Sequence, residues 1–487
     1  MTPNISRGTV ITSLIFKFIE RIAVKGLGLI ISIILARLLA PEAFGQVAII
    51  TVFINLSQMI IQSGLTTALV QNKDVQEDDY STVFYVNLLT AIFLVLVLFL
   101  CAPFIAQYYE EEKLIWPLRV HALSLIFGAF NSVQMSRMQR EMRFKPMMIC
   151  SLISTIMSGI LGVYLAYKGA DIWALIIYYF SHVVFTSIAM FVVDRWLPKM
   201  VFSFTRARIL FDYGWKMLVS GMLCSLYADI RSLIIGKVYT TEDLGYYNRG
   251  QQFPNILSST LDSSIQAVMF PAISASQESK ERMRMLLKKS TTTCALFVFP
   301  AMVGLAMISE SFVSVLLTDK WLPCVVYMQL ICLAEASIPF SSSNLTAIKS
   351  SGRSDMYMRL EIIRRIVMLS ILLVSVFAFH SVVAIAAGYI LSCWIDVLII
   401  IQAEKKILGY GVRDQFKDVW KIAVSTVLMG GLVYIIGAII KAKLWAMLIQ
   451  IPVAIISYSF FCYMLKEESF TYMLKMGKDL VKNRSRS

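Results

Sequence analysis

Runs of about 20 apolar residues, separated by short polar segments, recur along the whole chain. Each matches the thickness of a bilayer core at a helical rise of about 1.5 Å per residue. They predict spans at about 11–36, 42–66, 83–108, 118–137, 147–167, 171–194, 209–236, 250–274, 290–310, 324–348, 357–379, 382–402, 420–440 and 444–465. The predicted fold class is an all-α polytopic membrane protein of about 14 transmembrane helices, since a helix satisfies its own backbone hydrogen bonds in lipid. An even number of crossings puts both termini on one side.

Three helices break the apolar pattern. In the first, Lys17, Arg21 and Lys25 recur at i, i+4 and i+8, and Gly28 and Ser32 extend the same stripe. A charge facing lipid costs about 2.5–3.5 kcal/mol, so three cost roughly 7–10 kcal/mol, and the stripe is expected to face water or protein. The competing reading has Lys17 snorkelling to the interface and Glu20 pairing with Lys17 or Arg21. In the seventh, Lys216, Ser220, Tyr227 and Arg231 form a second cationic stripe of the same reach. In the eighth, Asn255, Ser259, Asp262 and Gln266 return to one face, and Asn55, Gln58 and Gln62 on the second helix are a lighter counterpart. Amides, hydroxyls and one carboxylate suit a hydroxyl-rich sugar, while the alternative is hydrogen-bonded helix packing. Glu335, four residues before Pro339, and Asp396, in mid-span, are the candidates for coupling or gating.

A repeat links these helices. ARLLAPEAFGQVAI from Ala36 aligns with GKVYTTEDLGYYNR from Gly236, pairing Arg37 with Lys237, Glu42 with Glu242, Phe44 with Leu244 and Gly45 with Gly245. Each block leaves one predicted span and enters the next. Two parallel six-helix bundles are therefore expected, at 1–200 and 201–405, followed by two extra helices and a basic tail at 406–487.

The net charge of +14 sits mostly in short loops, so it is no footprint of nucleic-acid binding. Thirty-one Lys and Arg flank the loops on the side of the termini and eight flank those opposite, which predicts cytoplasmic termini. The eight cysteines are single and mostly within spans, so disulfides and a metal site are not expected. No cleavable signal peptide is expected ahead of the first span. There is no Gly-x-x-x-x-Gly-Lys-Ser/Thr loop to bind ATP.

LARLLAPEAFG in the first helix exit, QREMRFKP at Gln139 to Pro146, DIRSLIIGKVYTTEDLGYYNRGQQFP at Asp229 to Pro254 and VMFPAIS at Val268 to Ser274 resemble one known group. It is the polysaccharide-transporter branch of the multidrug, oligosaccharidyl-lipid and polysaccharide exporter (MOP) superfamily, with Wzx-type flippases, and more closely its colanic-acid and teichuronic-acid exporters. The resemblance implies alternating access about a cavity and an undecaprenyl-pyrophosphate-linked oligosaccharide as cargo, for cell-surface polysaccharide biosynthesis at a bacterial inner membrane. It implies a monomer working beside a polysaccharide polymerase and chain-length machinery. In related peptidoglycan-precursor flippases, basic residues of the first helix line the cavity, and Lys17 and Arg21 match them by location. No cofactor is implied, and H+ and Na+ both stay open as coupling ions. Two other readings are a multidrug extruder, which would need an acidic and aromatic lumen, and a polymerase or ligase, which would need a large outer loop with catalytic Arg or His.

Overall fold

The computed structural model describes residues 7–62, 65, 66, 69, 75–473 and 475; within these the side chains of 7–22, 209, 210, 212–214, 216, 217, 219, 220, 223, 224, 227, 228 and 354 lie outside the description. The helices are α1 (Arg7–Leu38), α2 (Pro41–Gln62), α3 (Glu77–Tyr109), α4 (Ile115–Ala122), α5 (Ser124–Arg140), α6 (Phe144–Tyr167), α7 (Ile172–Asp194) and α8 (Phe204–Val238). They continue with α9 (Thr241–Ser274), α10 (Lys280–Leu316), α11 (Cys324–Glu335), α12 (Ile338–Ser350), α13 (Ser354–Phe379), α14 (Val382–Leu408), α15 (Val412–Ile439) and α16 (Lys443–Met464). No strand occurs among the described residues. The protein is an all-α polytopic membrane protein.

Among the described residues, eleven helical segments are long and apolar enough to cross a membrane. Two predicted spans are each two helices. A 3-10 turn at Glu112–Leu114 leads into α4, which breaks from α5 at Leu123; a second at Asp319–Trp321 precedes α11, which breaks from α12 at Ala336 and Ser337. Pro339 in the first turn of α12 accounts for the second break, because its ring cannot continue an α-helical ladder. These paired breaks extend the internal repeat to a second place in the chain.

The repeat is also visible in how the helices start. Pro41 begins α2, where its missing N–H costs nothing. At the equivalent point α9 uses a reciprocal cap: Asp243 N–H donates to Thr240 Oγ1 at 3.0 Å and Thr240 N–H donates to Asp243 Oδ2 at 3.4 Å. The connections that the charge bias assigns to the outer side, such as 39–40, 110–114, 168–171, 239–240, 317–323 and 380–381, are two to seven residues long.

Packing groups the chain into two compact units, one up to Gly245 and one from Tyr246 onward. The repeat draws its boundary near 200; the two divisions rest on different things, internal similarity and contacts. In the first unit α6 packs on α7 and α1, α2 on α8, and α3 on α5. Its tightest approach lies between two glycines that the repeat pairs. A Cβ on Gly45 would stand 1.6 Å from the Thr241 carbonyl oxygen, and one on Gly245 would stand 2.1 Å from that of Pro41. Beside it, Lys237 Nζ donates to Glu110 Oε1 at 2.9 Å, which holds the Glu110 carboxyl below the usual carboxylate range.

In the second unit α13 packs on α14, α11 and α12 on α14, and α15 and α16 against α10. Arg364, which the charge pattern assigns to a loop, is buried on α13. Its Nε and Nη2 donate to both oxygens of Asp396 on α14, the second of these bonds at 2.8 Å, and its Nη1 donates to Glu361 at 2.7 Å. Arg249, assigned to an outer loop, lies inside α9, buried beneath the Trp321 ring at 5.1 Å.

Two outcomes are expected from this packing. Gly45→Ala or Gly245→Ala forces backbone apart and should destabilise the protein by about 1–3 kcal/mol, read as a lower melting temperature in detergent, whereas Gly128→Ala, whose Cβ would meet nothing within 4 Å, should not. Asp396→Ala strands a buried guanidinium and should cost about 3 kcal/mol, while Arg364→Met with Asp396→Leu should recover much of that loss in the same melt.

Candidate functional site

The residues singled out by sequence fall into three groups. Of the cationic set, the backbone of α1 carries Lys17 and Arg21, and that of α8 carries Lys216, but the side chains of all three lie outside the described residues. Lys25 on α1 is exposed, and Arg231 on α8 is half-buried with partners of its own. Both belong to the first unit. There α8 runs close along α2, where a Cβ on Gly221 would touch Met59 Sδ at 3.3 Å.

The stripe on α9 divides by partner. Asp262 accepts from Ser342 Oγ at 2.9 Å, from Gln266 Nε2 at 3.3 Å and from Cys294 Sγ at 3.8 Å. Gln266 Oε1 accepts from Thr346 Oγ1 at 2.9 Å. These two residues therefore tie α9 to α10 and α12 inside the second unit. Ser259 is exposed and donates to the Ile256 carbonyl at 3.4 Å. Asn255 is half-buried, and its Oδ1 finds no hydrogen-bond partner among the described residues.

Glu335 ends α11 at the break before α12. Its buried carboxylate accepts from Ser258 Oγ at 2.6 Å and from the Tyr389 hydroxyl at 3.3 Å. A carboxylate at a helix break, bonded to both α9 and α14, joins three elements through one group. Asp396, the other gating candidate, is taken up by Arg364. Glu404 on α14 escapes sequence reasoning: it is fully buried, and neither carboxylate oxygen has a hydrogen-bond partner among the described residues. Its setting, AEKK before a Gly, reads as an ordinary helix end.

The first unit also contains a cavity of about 630 Å³. Its walls come from α2, α5 and α7 and the residues just beyond α2, with Gln58, Gln62, Asn131, Gln139, His182 and Thr186 among them. Among the described residues no Lys, Arg, Asp or Glu lines it. Gln58 and Gln62 carry the only sequence signal for it. Asn131, Gln139 and His182 have no recognisable spacing relative to them, because three helices distant in sequence bring them together.

A family described as polysaccharide biosynthesis protein matches residues 34–326. The chain is 26% identical over 353 residues to the succinoglycan biosynthesis transport protein ExoT of Rhizobium meliloti, covering 72% of each. It is 21% identical over 448 residues to the lipopolysaccharide biosynthesis protein WzxC of Escherichia coli, covering 88% of this chain and 87% of that one. Among solved structures its fold is similar to that of the lipid II flippase MurJ in an inward closed conformation, with a TM-score of 0.74 at 16% identity over 93% of this chain and 98% of that one. The family match takes in both cation-bearing helix exits, the paired glycines and the walls of the cavity, and by it the chain belongs to the polysaccharide biosynthesis protein family.

Proposed function

We propose that this protein is a flippase that carries a polyprenyl-pyrophosphate-linked oligosaccharide repeat unit across a bacterial inner membrane, for assembly of a cell-surface polysaccharide. The observation that carries the reading is the family match on a chain with eleven candidate membrane spans among its described residues, whose sequence sets cations on α1 and α8 and a polar stripe on α9. A pyrophosphate bearing sugars cannot cross about 30 Å of hydrocarbon unaided. Cations on α1 and α8 replace its hydration with fixed charge, and the polyprenyl tail stays in lipid.

In this reading Lys17, Arg21, Lys25, Lys216 and Arg231 serve the pyrophosphate, Arg as a bidentate clamp and Lys as a point charge. Ser259 and Asn255 are the stripe residues open to cargo, and Glu335 is the gating carboxylate. The termini are cytoplasmic, the protein works as a monomer, and a polymerase receives the flipped unit. A transporter rather than an enzyme is supported by the outer connections of two to seven residues, which leave no room for a catalytic domain.

The test is transfer of a fluorescent undecaprenyl-pyrophosphate oligosaccharide across proteoliposomes. Transfer by the intact protein is expected, with Lys17→Ala, Arg21→Ala and Arg231→Ala each slowing it about tenfold or more, since a charged hydrogen bond contributes about 1.5–3 kcal/mol. No transfer by the intact protein would overturn the reading. Transfer unchanged in all three variants would overturn the cationic assignment alone.

A further inference from the structure

The repeat sets up a comparison that neither unit offers alone. At the offset of 200, Asn55, Gln58, Gln62 and Thr66 correspond to Asn255, Ser258, Asp262 and Gln266. In the second unit the last three of these positions are spent on internal hydrogen bonds, to Glu335, Ser342 and Thr346. In the first unit the equivalent face opens on the cavity, with Gln58, Gln62 and Thr66 among its walls. The same polar face is closed in one half and left open in the other, so the opening is no automatic product of the repeat.

The lining states what it can hold. Thr66 Oγ1 and Asn131 Oδ1 are buried without a hydrogen-bond partner among the described residues. A buried polar atom left unpaired costs about 1–3 kcal/mol, so these atoms await water or a ligand. Gln58, Gln62 and Gln139 each present a donor and an acceptor, which is the pattern a sugar hydroxyl also presents. No formal charge lies among its described walls, whose amides and hydroxyls suit a neutral ring. At about 630 Å³ it is within the size range of small-molecule sites.

We propose that this cavity is a sugar subsite, which takes uncharged hexose residues of the cargo while the pyrophosphate is held by cations elsewhere. The proposal rests on the flippase reading. Ring hydroxyls replace the waters on Asn131, Thr66 and the glutamine amides, so that the glycan is selected by its neutral end.

Gly128 supplies the test. It lies in the cavity wall on α5, and a Cβ added there meets nothing within 4 Å. Gly128→Leu therefore adds bulk at the cavity wall, starting from a Cβ that has room, and replaces a poor helix former by a good one. Gln62→Met and Gln139→Met remove hydrogen bonding at nearly constant volume. Binding would be measured with the full chain in nanodiscs, using undecaprenyl pyrophosphate with and without a neutral trisaccharide, and melting temperature as the control for folding.

The expected result is that Gly128→Leu weakens the trisaccharide lipid about tenfold or more, and each glutamine variant about three- to tenfold. The bare pyrophosphate lipid should bind all four proteins alike. Equal weakening of both lipids, or no weakening of either, would overturn the subsite while leaving the flippase reading intact. Failure of the unaltered protein to bind either lipid would instead overturn the flippase reading itself.

Discussion

Hydrocarbon supplies no hydrogen bonds, and that one deficit governs the whole chain. Every backbone amide must be paired within its own helix, which leaves helices as the form of each segment and short turns as the form of each outer connection. Side-chain polarity is subject to the same constraint, so an amide, a hydroxyl or a charge inside the membrane needs a partner in protein, water or cargo. Part of the interior of the second unit meets it in protein, while Glu404 on α14 finds no hydrogen-bond partner among the described residues. Asp262, Gln266, Glu335 and Asp396 are each bonded to a neighbouring helix.

The first unit meets it differently. Around its cavity the amides of α2 and α5 are left facing open space, and Asn131 Oδ1 has no partner among the described residues. Polar groups held in such a state lower the stability of the apo protein and are repaid when a hydroxylated ligand arrives. The second unit bonds several of its polar groups internally, with its bidentate Arg364–Asp396 pair and its Asn344–Gln415 amide pair, bonded in both directions at 2.9 and 2.8 Å. At the positions the repeat pairs, the polar face of α9 is bonded internally and that of α2 borders the cavity.

The break helices illustrate how local rules combine. A helix of twelve residues ending at Glu335 is too short to span the bilayer alone, and only with α12 does it complete the crossing. The interruption places a carboxylate among three helices, with Ser258 and Tyr389 reaching it from either side. The close approach of Gly45 and Thr241 follows the same economy, since only a residue without a side chain lets two backbones come that near.

Much of this was determined by sequence alone. The apolar runs predict about fourteen crossings, because lipid imposes one length and one backbone geometry on each of them, and eleven segments among the described residues meet that length and composition. The charge pattern marks α1, α8 and α9 as helices that need a wet or protein face, and the pairing of Gly45 with Gly245 at an offset of 200 reveals the repeat. What periodicity along one helix could not decide is which neighbour each polar face meets. Arg364 reads as a loop cation and is a buried partner of Asp396; Asp262 and Gln266 read as one stripe with Ser259 and turn inward while Ser259 does not. The cavity was invisible for the same reason. Its walls come from three helices far apart in the chain, and only tertiary packing, which fixes how those helices are rotated, brings Gln62, Asn131 and His182 around one space.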